Sequence, residues 1–276
     1  MSDSVIRVLT VAGSDASGGA GMAADMHTFE EYGTYGQVAL TTVVTMDKEK
    51  WNHHVHELPL DLVKSQFDTI LASDVPIRAM KTGMLGTPEI VKLVSDVIQN
   101  NVFENVVIDP VLVCKGTDEV LNPDTADSIK HLLLPYATVA TPNLFEAGVM
   151  SGLGHITTLE DMKEAARQIH DLGTEHIVIK GGKAMAGDEA IDLYYDGEEF
   201  TLLSEPKISS PNNHGAGCTF AAAITAGLGL GMNPREAVVT AKKYVTAAIR
   251  NGFTYNRFVG PVFRPGYRLE KQGRCF

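Results

Sequence analysis

The chain has 276 residues, 44% of them hydrophobic and 21% charged, and 23 basic against 34 acidic residues give a net charge of −11. That length buries a full core and that composition is ordinary for a globular protein, so disorder and coiled coil are excluded as whole-chain readings. An acidic chain without a dense basic patch is unsuited to wrapping nucleic acid or anionic lipid; its richest basic stretch, residues 264–274, reads as a short solvated tail.

In chain order, residues 5–12 are an apolar run ending at Gly13, which predicts a buried strand. Residues 21–32 have helical composition with Gly33 as a stop, and residues 37–46 are β-rich. Leu60, Val63, Phe67, Ile70 and Leu71 recur at helical spacing. A short strand follows at 77–80, and Thr87-Pro88 announces a helix as N-cap and first helical residue. Strand 106–108 ends in Asp109-Pro110, and Asn122-Pro123 opens a helix, as Asn233-Pro234 does later. Residues 137–140 form a strand before Thr141-Pro142-Asn143, and Thr157 with Glu160 reads as the capping box of a helix through Ile169. Strand 177–179 ends in Lys180-Gly181-Gly182. Residues 191–195 and 200–203 flank Asp196-Gly197, which reads as a hairpin turn.

This alternation predicts an α/β fold with a mostly parallel central sheet, helices on both faces and a small antiparallel hairpin. With no linker, repeat or low-complexity stretch, one domain over residues 1–276 is expected. Residues 208–234 hold no Asp, Glu, Lys or Arg, yet their Asn, His and Gly content reads as a buried loop and helix, not a membrane span. Cys114, Cys218 and Cys275 are too few and too spread for a disulfide framework, and there is no C-x-x-C for structural zinc. The start lacks a signal-peptide pattern, so a cytoplasmic protein with reduced thiols is expected.

In an open parallel sheet, ligands sit beyond the carboxyl ends of the strands. The residues found there are Gly13-Ser14-Asp15, Lys81-Thr82-Gly83, Asp109, Asn143 and Lys180-Gly181, which singly read as turns and jointly as one rim. Gly19, Gly21 and Ala24 match G-x-G-x-x-A, with Asp47 as a ribose acid; this weak fingerprint makes a nicotinamide enzyme one alternative. A sharper signal is Gly215-Ala216-Gly217, entering a helix of small apolar residues. Free N–H groups and the helix dipole make an anion site there, suited to charge on a transferring phosphoryl group. Cys218 lies in the first turn, where a thiol falls below its usual pKa of about 8.5; the plain alternative is a small packing residue. His53, His54 and His56 lie with Trp51 in a predicted loop, either partly exposed or lending one imidazole to a substrate pocket. Met84 reads as packing, or as lining for an aromatic ligand.

Six motifs stand in order over nearly the whole chain: Ala12-Gly-Ser-Asp-x-Ser-Gly-Gly-Ala-Gly21, Lys81-Thr-Gly-Met84, Asp109-Pro-Val111, Thr141-Pro-Asn-x-x-Glu146, Ile179-Lys-Gly-Gly182 and His214-Gly-Ala-Gly-Cys218. The set resembles the ribokinase superfamily, and within it the hydroxymethylpyrimidine kinase branch with its bacterial pyridoxal kinase relatives. The resemblance implies phosphorylation of a hydroxymethyl group by ATP with Mg²⁺, and a homodimer. It implies Gly215, Ala216 and Gly217 as an anion hole, and Asn143, Lys180, Gly181, Asp192 and Gly217 as ATP contacts. Asp109 and Glu146 would serve the metal, and Asp15, His53, Gly83, Met84 and Asp109 the acceptor. Most ribokinase relatives carry an Asp after the anion hole as general base; here that position is Cys218, as in the pyrimidine kinase branch.

The stretch Asp109-Pro-Val-Leu-Val-Cys-Lys-Gly116 resembles a bacterial dual-cysteine pyridoxal kinase subgroup, in which one thiol adds to the substrate aldehyde and the other comes from a lid. Residues 115–118 are polar and contain Gly116, and read as a mobile flap. The reaction this implies is ATP plus pyridoxal giving pyridoxal 5′-phosphate, with Cys218 and Cys114 catalytic. Pyridoxal and ATP are then the expected partners, without nucleic acid or membrane. Hydroxymethylpyrimidine or its phosphate is the alternative acceptor, and a non-catalytic pyridoxal-binding protein the remote one.

Overall fold

The first apolar run becomes β1 (Arg7–Asp15), with Val8, Leu9 and Val11 wholly withdrawn from solvent. The computed structural model describes residues 5–101, 103–112 and 122–274. Cys114, Cys275 and the predicted flap at 115–118 lie outside the described residues. After β1 come α1 (Gly21–Glu31), β2 (Tyr35–Met46), β3 (His53–Glu57), α2 (Leu60–Leu71) and β4 (Ile77–Thr82). Then follow α3 (Pro88–Asn100), β5 (Asn105–Ile108), α4 (Pro123–Leu132), β6 (Val139–Ala140), α5 (Leu144–Ser151), α6 (Leu159–His170) and β7 (His176–Gly182). The chain finishes with β8 (Glu189–Tyr195), β9 (Phe200–Pro206), α7 (Ala216–Gly229), α8 (Pro234–Arg250) and α9 (Gly266–Lys271).

The chain divides into two compact units. The first takes the described residues of Met1–Leu85, Phe103–Asn105 and Ile208–Phe276. Its strands run in the order β3-β2-β1-β4, with β1 parallel to both β2 and β4, and β3 antiparallel to β2. The α7 helix packs on α1, α8, β1 and β4, and every residue from Thr219 to Gly229 is buried. Three glycines in α7 oppose helix formation by about 1 kcal/mol each relative to alanine. Close packing offsets this: a Cβ on Gly229 would stand 2.9 Å from Val8 Cγ1, so the helix presses directly on β1. The uncharged stretch 208–234 is thus a loop and a buried helix, as expected, and no helix among the described residues is long and apolar enough to cross a membrane.

The second unit takes the described residues of Gly86–Val102 and Val106–Lys207. Its strands run β5-β6-β7-β8-β9; β5, β6 and β7 are parallel, while β7–β8 and β8–β9 are antiparallel. The α/β class and the hairpin around Asp196-Gly197 are as predicted, with Tyr195 opposite Phe200. Asn and Thr caps start the helices where the sequence places them: Thr87 accepts from Ile90 N at 3.3 Å, and Asn122 from Asp124 N at 3.0 Å.

Three local readings are corrected. The His53–His56 segment is strand, not loop; it is the edge strand β3, and its outward histidines mask it from any search for apolar runs. The capping box of α6 is Thr158 with Asp161, one residue later than predicted. The short Asp161 side chain reaches Thr157 N and Thr158 N at 2.9 and 2.8 Å, while Glu160 turns outward to Lys163. Residues 264–274 are no solvated tail: Arg264 is 5% exposed and Leu269 of α9 is buried.

Candidate active site

In the first unit the site residues gather where β1, β4 and α7 present their ends. Asp15 closes β1, and its Oδ1 accepts from Ser17 N at 2.7 Å, turning the chain into the glycine-rich loop. Its Oδ2 lies 2.5 Å from His214 Nε2. Burial alone would raise the Asp15 carboxyl, but hydrogen bonds from His214 and Ser17 outweigh it and hold the group below its ordinary value. Gly83 N donates to Val11 O at 2.8 Å and Thr41 Oγ1 to Met84 O at 2.7 Å, so the loop after β4 is tied to its neighbouring strands.

Gly215 takes the left-handed conformation, φ 78°, and turns the chain into α7. A Cβ there would collide with the Gly19 carbonyl and with Arg264. No side chain caps α7 and its first turn holds no acid, so its leading N–H groups and positive dipole end have no carboxylate among their own residues. Cys218 stands half-buried in that turn. The structure therefore brings Asp15 to the segment carrying Gly215, Ala216, Gly217 and Cys218. His53 opens β3, opposite Met46.

Lys81 was expected at the strand-end rim, but it lies inside β4 and is wholly buried. Its ammonium pairs at 2.9 Å with Asp25 of α1, to which Thr10 also donates at 2.7 Å. Sequence reading missed Asp25, Arg264 and the role of His214. Only an Asp among the apolar residues of α1 could have flagged the first. Asp47, the candidate ribose acid, instead organises its own loop, accepting from Lys50 N at 2.6 Å and Asn52 N at 2.9 Å.

In the second unit Asp109 follows β5 and is 3% exposed. Lys180 of β7 and Thr141 both reach its Oδ1, at 2.8 and 2.9 Å. Asn143 caps α5: its Oδ1 accepts from Glu146 N at 2.9 Å, and Glu146 Oε2 accepts from Asn143 N at 2.8 Å. Burial pushes the Glu146 carboxyl up to about 7; Lys180 pulls it down and the Asp109 charge pushes it further up. Asp192 of β8 stands opposite Lys180 and accepts from Gly182 N at 3.0 Å, beside the buried Gly181. The predicted nucleotide and metal residues of this unit therefore lie together; Gly217, also predicted as an ATP contact, belongs to the first unit.

Residues 15–263 match the phosphomethylpyrimidine kinase family. The chain is 47% identical over 270 residues to the pyridoxine kinase of Bacillus subtilis, covering 98% of this chain and 99% of that protein. It is 36% identical over 259 residues to the hydroxymethylpyrimidine/phosphomethylpyrimidine kinase of the same organism, covering 94% of each. A solved structure of the pyridoxal kinase from Staphylococcus aureus, in complex with AMP-PCP and pyridoxal, superposes with a TM-score of 0.91 at 51% identity, over 96% of this chain and 95% of that one.

Proposed function

The chain belongs to the phosphomethylpyrimidine kinase family, and from that premise we propose that it transfers the γ-phosphoryl group of ATP to the 5′-hydroxymethyl group of pyridoxal, giving pyridoxal 5′-phosphate and ADP. One observation carries the choice of acceptor: within one organism, identity is 47% to the pyridoxine kinase and 36% to the hydroxymethylpyrimidine kinase. The relative solved with AMP-PCP and pyridoxal supports the same ligand pair.

Phosphoryl transfer asks for positioning and charge stabilisation more than covalent chemistry. The N–H groups of Gly215, Ala216 and Gly217 and the dipole of α7 serve the charge that develops on the transferring group. Cys218, in the same turn, takes the proton from the hydroxymethyl oxygen as that oxygen attacks phosphorus and ADP departs. Cys114 adds its thiol across the C=O bond of the pyridoxal aldehyde, sulfur to carbon and proton to oxygen, and holds the ring as a hemithioacetal. Gly83, Met84 and His53 line the acceptor side, and Lys180, Gly181, Asp192 and Asn143 the nucleotide side.

Among the described residues no three His, Cys, Asp or Glu side chains cluster. Mg²⁺ does not require such a cluster, since it is commonly held by one or two carboxylates with phosphates and water. Asp109 and Glu146 fit that need: both are buried oxygen donors, and the raised Glu146 carboxyl is a group that a nearby cation returns to its ionised form. When bound, Mg²⁺ would neutralise charge on the ATP phosphates. The reading extends to a single kinase domain, a homodimer and a cytoplasmic location.

The test is a panel of pyridoxal, pyridoxine and hydroxymethylpyrimidine with ATP, following ADP release. The highest kcat/KM is expected for pyridoxal. Preference for hydroxymethylpyrimidine would move the protein to the thiamine side of the family, and no ADP release with any acceptor would leave only the binding-protein reading.

A further inference from the structure

Two buried polar links tie the loop after β1 to the turn that opens α7. The first is the Asp15–His214 pair at 2.5 Å, each residue less than a tenth exposed. The second is Arg264, whose Nη2 donates to the Gly19 carbonyl and whose Nε donates to Thr219 Oγ1 at 3.2 Å. One guanidinium thus spans the loop and the first turn of α7. The links also touch one another's supports: a Cβ on Gly19 would strike the His214 ring. The His214 backbone is pinned on both sides, its N–H to Gly260 O and its carbonyl to Val262 N, two residues before Arg264.

This is a costly way to hold a turn. A buried guanidinium beside the positive end of a helix is opposed by desolvation and by the helix dipole. Burial pulls the Arg264 pKa down, and the nearby Cys218, Tyr244, Asp25 and Asp15 oppose that fall. An apolar side chain would stabilise mere packing as well or better. What a planar, multi-donor cation adds is fixed geometry between two segments. Both Asp15 oxygens, moreover, already have partners within the protein, Ser17 N and His214.

We infer that Asp15, His214 and Arg264 are positioning residues that lock the Gly215–Cys218 turn to the 15–21 loop, so that its N–H groups are aimed before substrate arrives. Asp15 acts through His214 and does not touch the acceptor, unlike the role its motif implies. The kinetic consequence rests on the kinase reading above; the rigidity of the turn does not.

The experiment compares the full chain with D15N, H214Q and R264K by hydrogen–deuterium exchange and by steady-state kinetics. Amide exchange over residues 214–219 is expected to speed up about 10-fold or more in each variant, while α8 is unchanged. In D15N, kcat should fall roughly 10–100-fold with KM for pyridoxal within about 3-fold. The D15N/H214Q double variant should lose no more than the worse single one, because both remove the same link. R264K keeps the charge without the fork and should recover only part of wild-type kcat. A D15N loss that falls in KM puts Asp15 on the substrate and overturns the inference, as does unchanged exchange over 214–219. If H214Q or R264K does not fold, the isosteric D15N decides both arms. If the wild-type chain does not phosphorylate pyridoxal, the kinase reading fails while the exchange result still decides the lock.

Discussion

The Lys180 ammonium meets the Asp109 carboxylate at 2.8 Å, on an oxygen that Thr141 also occupies and in a residue only 3% exposed. The pair is asymmetric, because the Lys180 side chain is 17% exposed while Asp109 has no outlet to water. The nearby Glu146 adds a second carboxylate. Removing the cation therefore harms more than removing the anion.

Lys180→Met should destabilise the protein by about 3 kcal/mol, the lower end of the cost of leaving one partner of a buried pair, given the partial exposure of the lysine. Urea denaturation would read this as a lowered midpoint. K180M/D109N should regain part of the loss, since no lone charge is left behind. If the single variant is as stable as wild type, the pair has no structural weight, and its value lies in nucleotide binding alone.

Gly215→Ala tests the turn. Its φ of 78° costs an L-residue roughly 1–2 kcal/mol, and the added Cβ meets the Gly19 carbonyl, a backbone atom that cannot swing aside. Turnover should be lost and Tm lowered by roughly 2–8 °C, as expected for a loss of 1–2 kcal/mol in a chain of this size. Wild-type turnover in G215A would show that the turn is not held where the anion-hole reading needs it.

Cys218→Ala separates chemistry from packing. The side chain is half-buried and the volume change small, so the fold and calorimetric ADP binding should persist. If the thiol removes the acceptor proton, kcat should fall about 100- to 10,000-fold. Near-normal turnover would reduce Cys218 to a packing residue.

Much of this was legible in the sequence, and the illegible parts share a physical cause. Apolar runs and caps followed by Pro announced β1, β4, β5, α3 and α8, because burial and capping are written in local residues. β3 was not announced, since an edge strand with outward histidines has no apolar run. Arg264 looked like one member of a basic tail; only tertiary packing reveals that it is buried while Arg268 and Lys271 are not. The clearest case is the N-x-x-E spacing, which occurs at Asn101–Glu104, Asn143–Glu146 and Asn233–Glu236. Asn101 only ends α3, whereas the other two form reciprocal capping boxes. Glu236 is exposed, whereas Glu146 is buried beside Asp109 and Lys180. Spacing permits the cap; only the neighbours contributed by distant strands set Glu146 apart from Glu236.

Cys114 supplies the substrate test. A thiol that holds an aldehyde matters for pyridoxal and not for pyridoxine, whose corresponding group is an alcohol. Cys114→Ala should lower kcat/KM for pyridoxal at least about 10 times more than for pyridoxine, a difference of roughly 1.4 kcal/mol. Equal losses, or none, would remove the aldehyde-specific role and return weight to hydroxymethylpyrimidine as acceptor.

Glu146→Gln should move stability and activity in opposite directions. Burial holds the carboxyl near 7, above its ordinary value of 4.5, so the folded state keeps a proton that the unfolded chain releases. Between about 4.5 and 7, rising pH therefore erodes the stability of the ligand-free protein. Glutamine is neutral at every pH and can still accept from Asn143 N, so the cap survives, while its NH2 group gives up the bond from the Leu112 backbone. Thermal melts of E146Q should gain on wild type from pH 5 to pH 8 and exceed it at pH 8. Turnover should fall at both, because the site has lost one of the two carboxylates that fit the metal. An E146Q variant less stable than wild type at pH 8 would make the carboxylate a structural necessity, and its burial would then no longer point to a cation.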